Sequence, residues 1–597
     1  MKPKLHFLMF MLFACSYANA NECSNTLNVL PSTYFITTWE TTLGNENITI
    51  PTTGAGYNYD VDWNNDGIFD DLSITANATH TYPVAGTHTV VIRGDFPRIY
   101  FNNAGDRQKI LSVEQWGTYA WSSMENAFHG CSNLVVNATD IPNLSSVTDL
   151  SFMFTFCSSF NQDIGNWDVS TVINMAHTFR NTAVFNQDIS SWDVSSVTSM
   201  DSMFWNSNVF NQDIGNWDVS NVTNMIRMFR SADTFNQDIG GWDVKNVTDM
   251  SLMFAGALSF DQNLGNWDIS SITDMSTMFF ANALSVLNYD ATLIGWSTLS
   301  GSEVQIPENI TFDGANSQYC IGENARNLLM STPFSWNIID GNQACTSAFI
   351  TTWKTDNSGV TNNNSIQIPV QGADPYKYNV DWGDGTFSTD LTAATTHNYS
   401  AIGTYTIKIT GDYPWFWAGD SGDKNKLLSV DQWGNQEWKT MHGSFNGCSN
   451  VVINATDTPD LSQATSFIRI FRNASSMNQD LNGWDVSTIT NMQDAFLNAT
   501  SFNGDISAWD VGSVTTLANM FRNAPNFNQN LGNWNVSNVS SMQEMFQSTS
   551  LSTYNYDLLL IGWSQLSLQS NVTFDVGNIT YCNGDTARQY IIDNYII

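Results

Sequence analysis

Apolar and polar positions along this chain follow two rhythms. Over residues 33–97, and again over 346–413, β-branched and polar residues alternate between Gly, Asn and Asp turns, as in Ile48-Thr49-Ile50, His88-Thr89-Val90-Val91-Ile92 and Tyr405-Thr406-Ile407-Lys408-Ile409. A period of two places one set of side chains on each face, so each segment predicts a small antiparallel β-sandwich. Elsewhere the period is 25 residues: Trp167, Trp192, Trp217, Trp242 and Trp267 fall at that interval, as do Phe160, Phe185, Phe210, Phe235 and Phe260, and later Trp484, Trp509 and Trp534. Within one repeat the spacing changes from strand-like (Ile214, Trp217, Val219) to helix-like (Val222, Met225, Met228, Phe229, Ala232). The expectation is a solenoid in which each repeat gives one short strand and one helical turn. No repeat can cover its own apolar side, so neighbours must stack. The Trp, Phe and Met columns are then core, each Trp contributing a few kcal/mol at about 25 cal/mol/Å².

The chain is one module written twice. Phe35-Ile36-Thr37-Thr38-Trp39 recurs as Phe349-Ile350-Thr351-Thr352-Trp353, and Leu111 to Gly117 recurs as Leu428 to Gly434. The repeat arrays occupy 98–345 and 414–597. Each array ends in a similar segment, Leu293-Ile294-Gly295-Trp296-Ser297 and Leu560-Ile561-Gly562-Trp563-Ser564, read as a cap over the last apolar repeat. The fold class is therefore mainly β with short helices: two small sandwiches, each followed by a solenoid.

Charge narrows the function. With 56 acidic and 21 basic side chains the net charge is -35. No basic stripe is present to displace counterions from a phosphate backbone, which argues against nucleic acid as a partner. Residues 1–20 read as a secretion signal, with Lys2 and Lys4, the apolar stretch Leu5 to Ala14, and cleavage after Ala20 in Ala18-Asn19-Ala20. The competing reading takes Leu12-Phe13-Ala14-Cys15 as an imperfect lipoprotein box with a lipid on Cys15. Either route exports the chain to the cell surface or beyond, and no later run of about 18 apolar residues predicts a transmembrane segment.

Export permits disulfides. Of eight Cys, Cys320 and Cys345 flank a terminal segment whose second copy begins at Cys582. The spacing puts a partner of Cys582 ten residues beyond Ile597, so the second cap reads as truncated. A Cys320–Cys345 bridge is expected, worth on the order of 3 kcal/mol by loop entropy, with free thiols in a small hydrophobic cluster as the alternative. Cys131 and Cys157 each follow a Phe by three residues in adjacent repeats. For them a bridge and reduced core thiols both remain open.

Specific families resemble these patterns. The unit with Met-Phe, Phe-Asn-Gln-Asp-Ile and Trp-Asp-Val-Ser resembles the BspA-type leucine-rich-repeat surface proteins of bacteria, in the variant long labelled a mycoplasma repeat of unknown function. The sandwich resembles the polycystic-kidney-disease (PKD) domain through Val380-Asp381-Trp382-Gly383-Asp384-Gly385-Thr386 and Thr396-His397-Asn398-Tyr399. The first copy, Val61-Asp62-Trp63-Asn64-Asn65-Asp66-Gly67, is two residues longer. The resemblance implies an adhesin that binds protein partners through the solenoid, and no catalytic residues.

Candidate chemistry is sparse. Asp168, Asp193, Asp218, Asp243, Asp268, Asp485 and Asp510 follow the repeat Trp, with Asn535 last in the column. At about 4.8 Å spacing two bare carboxylates repel by roughly 3 kcal/mol. They are expected to cap turns, with cations as the alternative. A second column, Asp163, Asp188, Asp213, Asp238 and Asn263, is expected to form a ladder of side-chain hydrogen bonds beside the strands, with an acidic, ligand-facing surface as the alternative. Asp62, Asn64, Asp66, Asp70 and Asp71 resemble the start of a Ca²⁺ loop, but the twelfth position is Ser73 and no flanking helix is predicted. A nonstandard Ca²⁺ site competes there with a plain Asx-rich turn; no other cofactor is implied. No His-Glu-x-x-His, Gly-x-Ser-x-Gly or phosphate loop occurs, so the chain is not read as an enzyme. The function expected is non-catalytic binding to a host, matrix or neighbouring-cell protein. The rivals are a calcium-stiffened surface spacer and a polysaccharide-binding protein. The aromatic groups Phe96, Tyr100, Phe101 and Tyr413-Pro414-Trp415-Phe416-Trp417 are expected to pack where sandwich meets solenoid, with an exposed carbohydrate- or protein-binding rim as the alternative.

Overall fold

The computed structural model describes residues 32–299, 305–372 and 375–595. The expected signal segment, with Ala20 and Cys15, lies outside them. The protein is mainly β with short helices and divides into two compact units, Met1–Thr171 and Val172–Ile597.

In the first unit the alternating segments form β1 (Phe35–Thr41), β2 (Glu46–Ile50), β3 (Asn58–Asp62), β4 (Asp71–Ile74), β5 (Ala78–Tyr82), β6 (Gly86–Asp95), β7 (Ile110–Gln115) and β8 (Val135–Val136). One sheet runs β4-β3-β6-β1-β7-β8, while β2 and β5 form a separate antiparallel pair. Phe35, Trp39, Ile48, Ile50, Tyr59 and Val61 are fully buried, as their alternation requires. Strand β7 pairs antiparallel with β1 and parallel with β8. The sheet therefore extends past residue 97 into the repeats, and Phe35 packs within 6.0 Å of Trp116 and 5.1 Å of Trp121.

In the second unit a run of repeats from Val172 ends in a cap of α1 (Val286–Trp296), β9 (Thr311–Asp313), α2 (Glu323–Met330) and β10 (Asn337–Ile339). Strands β11 (Phe349–Lys354), β12 (Ser365–Ile368), β13 (Lys377–Asp381), β14 (Phe387–Leu391), β15 (Thr395–Asn398), β16 (Thr404–Asp412), β17 (Leu427–Gln432) and β18 (Val452–Ile453) then repeat the first arrangement, with sheet order β14-β13-β16-β11-β17-β18 and the pair β12-β15. The second repeat array closes with α3 (Thr553–Trp563) and α4 (Asp585–Tyr595).

The repeats correct one expectation. They contain neither the strand nor the helix of a leucine-rich-repeat solenoid; each is a succession of tight turns, joined to its neighbours by isolated parallel bridges such as Asn174↔Ser199, Ser199↔Asn224 and Asn224↔Asp249. Over Met225–Ala232 the amides divide their work. Those of Met225, Arg227, Phe229 and Ser231 donate to the carbonyls of Asp249, Ser251, Met253 and Ala255 in the next layer, at 2.9–3.1 Å. Those of Met228, Arg230 and Ala232 close turns onto Met225, Arg227 and Phe229. A helix would use all these amides internally and leave none for the neighbouring layer. The i, i+3, i+4 apolar spacing is common to both geometries, which is why the sequence reads as helical.

The core columns form as expected. Phe179, Phe204, Phe229, Phe254 and Phe279 stack nearly parallel at 5.4–5.8 Å between ring centroids. The indole N–H of Trp217, Trp242 and Trp267 donates to the carbonyls of Ile189, Ile214 and Ile239, so these buried donors are satisfied.

Candidate interaction surface

The acidic columns on the repeat edges are turn acceptors. Asp168, Asp193, Asp218, Asp268 and Asp485 each accept the backbone N–H of the Ser two residues on, at 3.0–3.1 Å, and Asp243, Asp510 and Asn535 do the same with Lys245, Gly512 and Ser537. Hydrogen bonds from the Ser hydroxyl and amide hold the carboxyls of Asp168, Asp218 and Asp485 below their ordinary range. The second column behaves alike: Asp163, Asp188, Asp213, Asp238 and Asn263 accept from Gly165, Ser190, Gly215, Gly240 and Gly265. The side-chain ladder expected of this column lies instead in the neighbouring Asn column, where the backbone N–H groups of Asn211 and Asn236 donate to the side-chain oxygens of Asn186 and Asn211. Asp and Asn exchange freely because each needs only an acceptor oxygen.

A different chemistry faces outward from the turns. In the second unit Trp205 stands between two guanidiniums, Arg180 at 3.8 Å and Arg230 at 4.7 Å from its ring centroid. All three are half-buried, and Arg227 lies on the same wall. Burial holds the Arg180 guanidinium below its ordinary range, and its buried Nε has no hydrogen-bond acceptor among the described residues. Burial likewise lowers His177, against the opposing pull of Asp201 at 4.0 Å. Arg and Trp together are the side chains that most often anchor protein interfaces. The sequence carries the signal as a Trp outside the Trp column, at a position where adjacent repeats have Arg180 and Arg230.

The Asp62 loop is knotted by its own backbone. The Asp62 carboxylate accepts the N–H groups of Asn64, Asp66 and Gly67 at 2.9–3.3 Å; Asn64 accepts from Asp66, and Asp66 from Ile68. Asp70 and Asp71 accept the backbone and indole N–H of Trp63. Among the described residues no group of three or more His, Cys, Asp or Glu side chains is arranged to hold a metal ion. In the second copy His397 holds the equivalent turn through Asp384 at 2.9 Å and stacks on Trp382.

Cys320 and Cys345 form a disulfide with Cα atoms 4.6 Å apart. Cys131 and Cys157 do not: both are free and buried, and the Cys157 thiol donates to the Phe128 carbonyl at 3.1 Å. Burial raises both thiols well above their ordinary range. The aromatic groups at the junctions are mostly packed inward. Phe96, Phe101, Tyr413 and Phe416 are buried, with Phe101 against Phe128 and Phe416 against Phe445.

The caps contain polar groups that sequence reasoning missed. Asp290, wholly buried on α1, accepts the N–H groups of Cys320, Ile321 and Gly322; burial pushes its carboxyl up to about 7 despite those bonds. The Asn-Tyr-Asp shared by α1 and α3 was its only mark in the sequence. Lys426, also fully buried, donates to Thr361, Asn362 and Ser365 and lies 3.8 Å from buried Asp423.

Residues 122–226, 185–292 and 439–558 match the family model described as a Mycoplasma protein of unknown function, DUF285. No curated protein and no solved structure matches the chain. The resemblance to BspA-type leucine-rich-repeat proteins is corrected on two grounds: the family match points to DUF285, and the repeats are built from turns. It is to the repeats of DUF285 proteins that both arrays of this chain are similar.

Proposed function

We propose that this protein is an exported, non-catalytic binding protein whose repeat layers present a recognition surface to a protein partner outside the cell. The observation that supports this reading is the Arg180–Trp205–Arg230 sandwich, an aromatic anchor between two cations whose buried Arg180 Nε has no acceptor among the described residues. The surrounding protein carries a net charge of -35, so association is salt-sensitive and favours a partner with basic as well as acidic groups. The test is saturable binding of the purified protein to immobilised matrix and cell-surface proteins. Binding to a foreign protein that weakens about tenfold in Trp205→Ala, at unchanged melting temperature, supports the reading. Self-association with no foreign ligand bound defeats it.

A second reading, a structural spacer, is favoured by the junction between the modules. The Asn379 side chain donates to the Leu287 carbonyl at 2.8 Å, and Cys320, Ile321 and Ala348 form a buried cluster across the cap and β11. That contact stiffens the step from the first array to the second sandwich. A calcium-stiffened form of this reading requires Asp62 to exchange three backbone N–H bonds for a cation. Calcium titration followed by melting temperature and bound metal decides it: stoichiometric binding with a rise in melting temperature supports the spacer, and no shift at millimolar Ca²⁺ removes the ion from it.

A further inference from the structure

Cations are scarce on the first repeat array, and most of them stand on one wall. Over residues 172–285 twelve acidic side chains outnumber four basic ones, yet three of the four, Arg180, Arg227 and Arg230, share the turn wall that carries Trp205. The fourth, Lys245, lies in another turn and is paired with Asp243 at 2.5 Å. In successive layers the residue after the repeat Phe is Arg180, Trp205, Arg230, Ala255 and Phe280, so the cations occupy a short stretch and then stop. Beneath them Phe179, Phe204 and Phe229 stack at 5.6 Å. About three to four residues of an extended chain cover two steps of that length.

These guanidiniums are under-compensated. None of the three makes an ion pair among the described residues; the nearest carboxylate, Asp201, lies 4.0 Å from His177. Burial is the first cause of the lowered Arg180 guanidinium, and the upward pull of Asp201 is opposed by the downward push of Arg227 and Arg230.

The second array shows what this wall does with carboxylates. Arg469 holds the place of Arg227 in its own layer and pairs with Asp494 one layer on, at 3.3 Å. Arg522 holds the place of Arg230 and pairs with Glu544 one layer on, at 2.5 Å. The place filled by Asp494 and Glu544 is taken by Leu252 in the layer after Arg227 and Arg230, and by Ser202 in the layer after Arg180. The backbone there is the same, with φ of 58° at Leu252, 57° at Asp494 and 52° at Glu544. Arg472, at the equivalent of Arg180, also buries its Nε without an acceptor, so that feature belongs to the position. What sets the first array apart is that its wall carries cations without the carboxylates that answer them.

We propose that the Arg180, Trp205, Arg227 and Arg230 wall binds an acidic stretch of the partner protein, an extended segment with Asp or Glu at alternate positions. Its carboxylates take the part that Asp494 and Glu544 play in the second array. This rests on the protein-partner reading above and adds the chemistry of the segment recognised. Acidic residues two apart on an extended strand lie on one face about 6.7 Å apart, a span that suits guanidiniums 3.8 and 4.7 Å from one indole centroid. Each guanidinium can take a carboxylate through two parallel N–H···O bonds. A long sulfated polymer fits less well, because the cations end after three layers and the carboxylates of the same array repel whatever runs past them.

The probe is a dye-labelled peptide, Gly-Glu-Ser-Glu-Ser-Gly, added to the full-length protein at low ionic strength and followed by anisotropy, with Gly-Gln-Ser-Gln-Ser-Gly as its uncharged counterpart. The Glu peptide is expected to bind saturably and at least about tenfold more tightly than the Gln peptide. Two variants test the place. Arg227→Ala removes a cation, and Leu252→Asp supplies the wall with its own carboxylate as Asp494 does in the second array; each is expected to weaken the Glu peptide at least about tenfold at unchanged melting temperature. Arg522→Ala, whose guanidinium is already paired, is expected to leave the affinity unchanged. Equal affinity for the two peptides overturns the proposal, as does a Glu peptide indifferent to both Arg227→Ala and Leu252→Asp. Displacement of the Glu peptide by a heparin tetrasaccharide at far lower concentration also overturns it, in favour of a sulfated glycan. Failure of the Glu peptide while Trp205→Ala still weakens a protein partner sinks this proposal alone; absence of any foreign protein ligand sinks the reading beneath it as well.

Discussion

Asp290 and Asp557 occupy the same place in the two caps, and their carboxyls shift in opposite directions. Around Asp290 burial outweighs three backbone N–H donors and the carboxyl rises to about 7. Around Asp557 burial also acts upward, but the N–H groups of Cys582, Gly584 and Asn583 prevail and the carboxyl falls below its ordinary range. The signs follow by linkage. Asp290 binds its proton more tightly in the folded state, so its contribution is full at low pH and is lost as pH rises from about 4 through 7. Asp557 contributes above its unfolded range and loses that contribution as pH falls. Melting curves from pH 4 to 8 should therefore show that Asp290→Asn removes a decline with rising pH, while Asp557→Asn costs stability at neutral pH and little in acid. Parallel curves for both variants would contradict the assignment. At Lys426 the expectation is larger: Lys426→Met leaves Asp423 buried without its cation and should cost about 3–5 kcal/mol in urea unfolding. Neither site is legible in the sequence, because a buried Asp or Lys is distinguished from a surface one only by what the fold brings over it.

At the scale of the element, the turns of each repeat depend on left-handed residues that are not glycine. Arg227, Ser231, Leu252, Thr277 and Ala281 have φ between 52° and 60°, and Gly256 has 73°. An L side chain in this region costs roughly 1–2 kcal/mol, most for a β-branched one. Thr277→Gly should thus raise stability by about 1 kcal/mol, and Gly256→Val should lower it by at least as much; urea midpoints measure both. The 25-residue period, the buried columns and the alternating strands were all legible, because burial repeats whatever the local backbone does. The turn geometry was not, since nothing about Arg227 or Leu252 marks a positive φ. The strands read correctly because Phe35, Trp39 and their partners obey a period that only a strand satisfies. Of the candidate surface nothing was read from the sequence: Trp205 stands outside the Trp column, but its stacking between Arg180 and Arg230 shows only once the layers are in register.

For the whole molecule, near-identical layers make length adjustable. Removing Phe210–Thr234, one full period, leaves Asn208-Val209 joined to Phe235 and preserves every column. This deletion should fold cooperatively, whereas removal of about half that length should not, because the ladders then meet out of phase. Circular dichroism melts distinguish the two. The repeats also set where charge acts: each Asp of the column engages one carboxylate oxygen in its own turn, while on the Arg and Trp wall the buried Arg180 Nε has no acceptor among the described residues. The measurement that tests the account most directly is the affinity for one immobilised protein partner of two variants, Trp205→Ala/Arg230→Ala and Asp218→Asn/Asp243→Asn. The account predicts at least about tenfold weaker binding for the first and an unchanged affinity for the second. Loss of binding through the Asp columns, with the Trp205 variant unaffected, would contradict it.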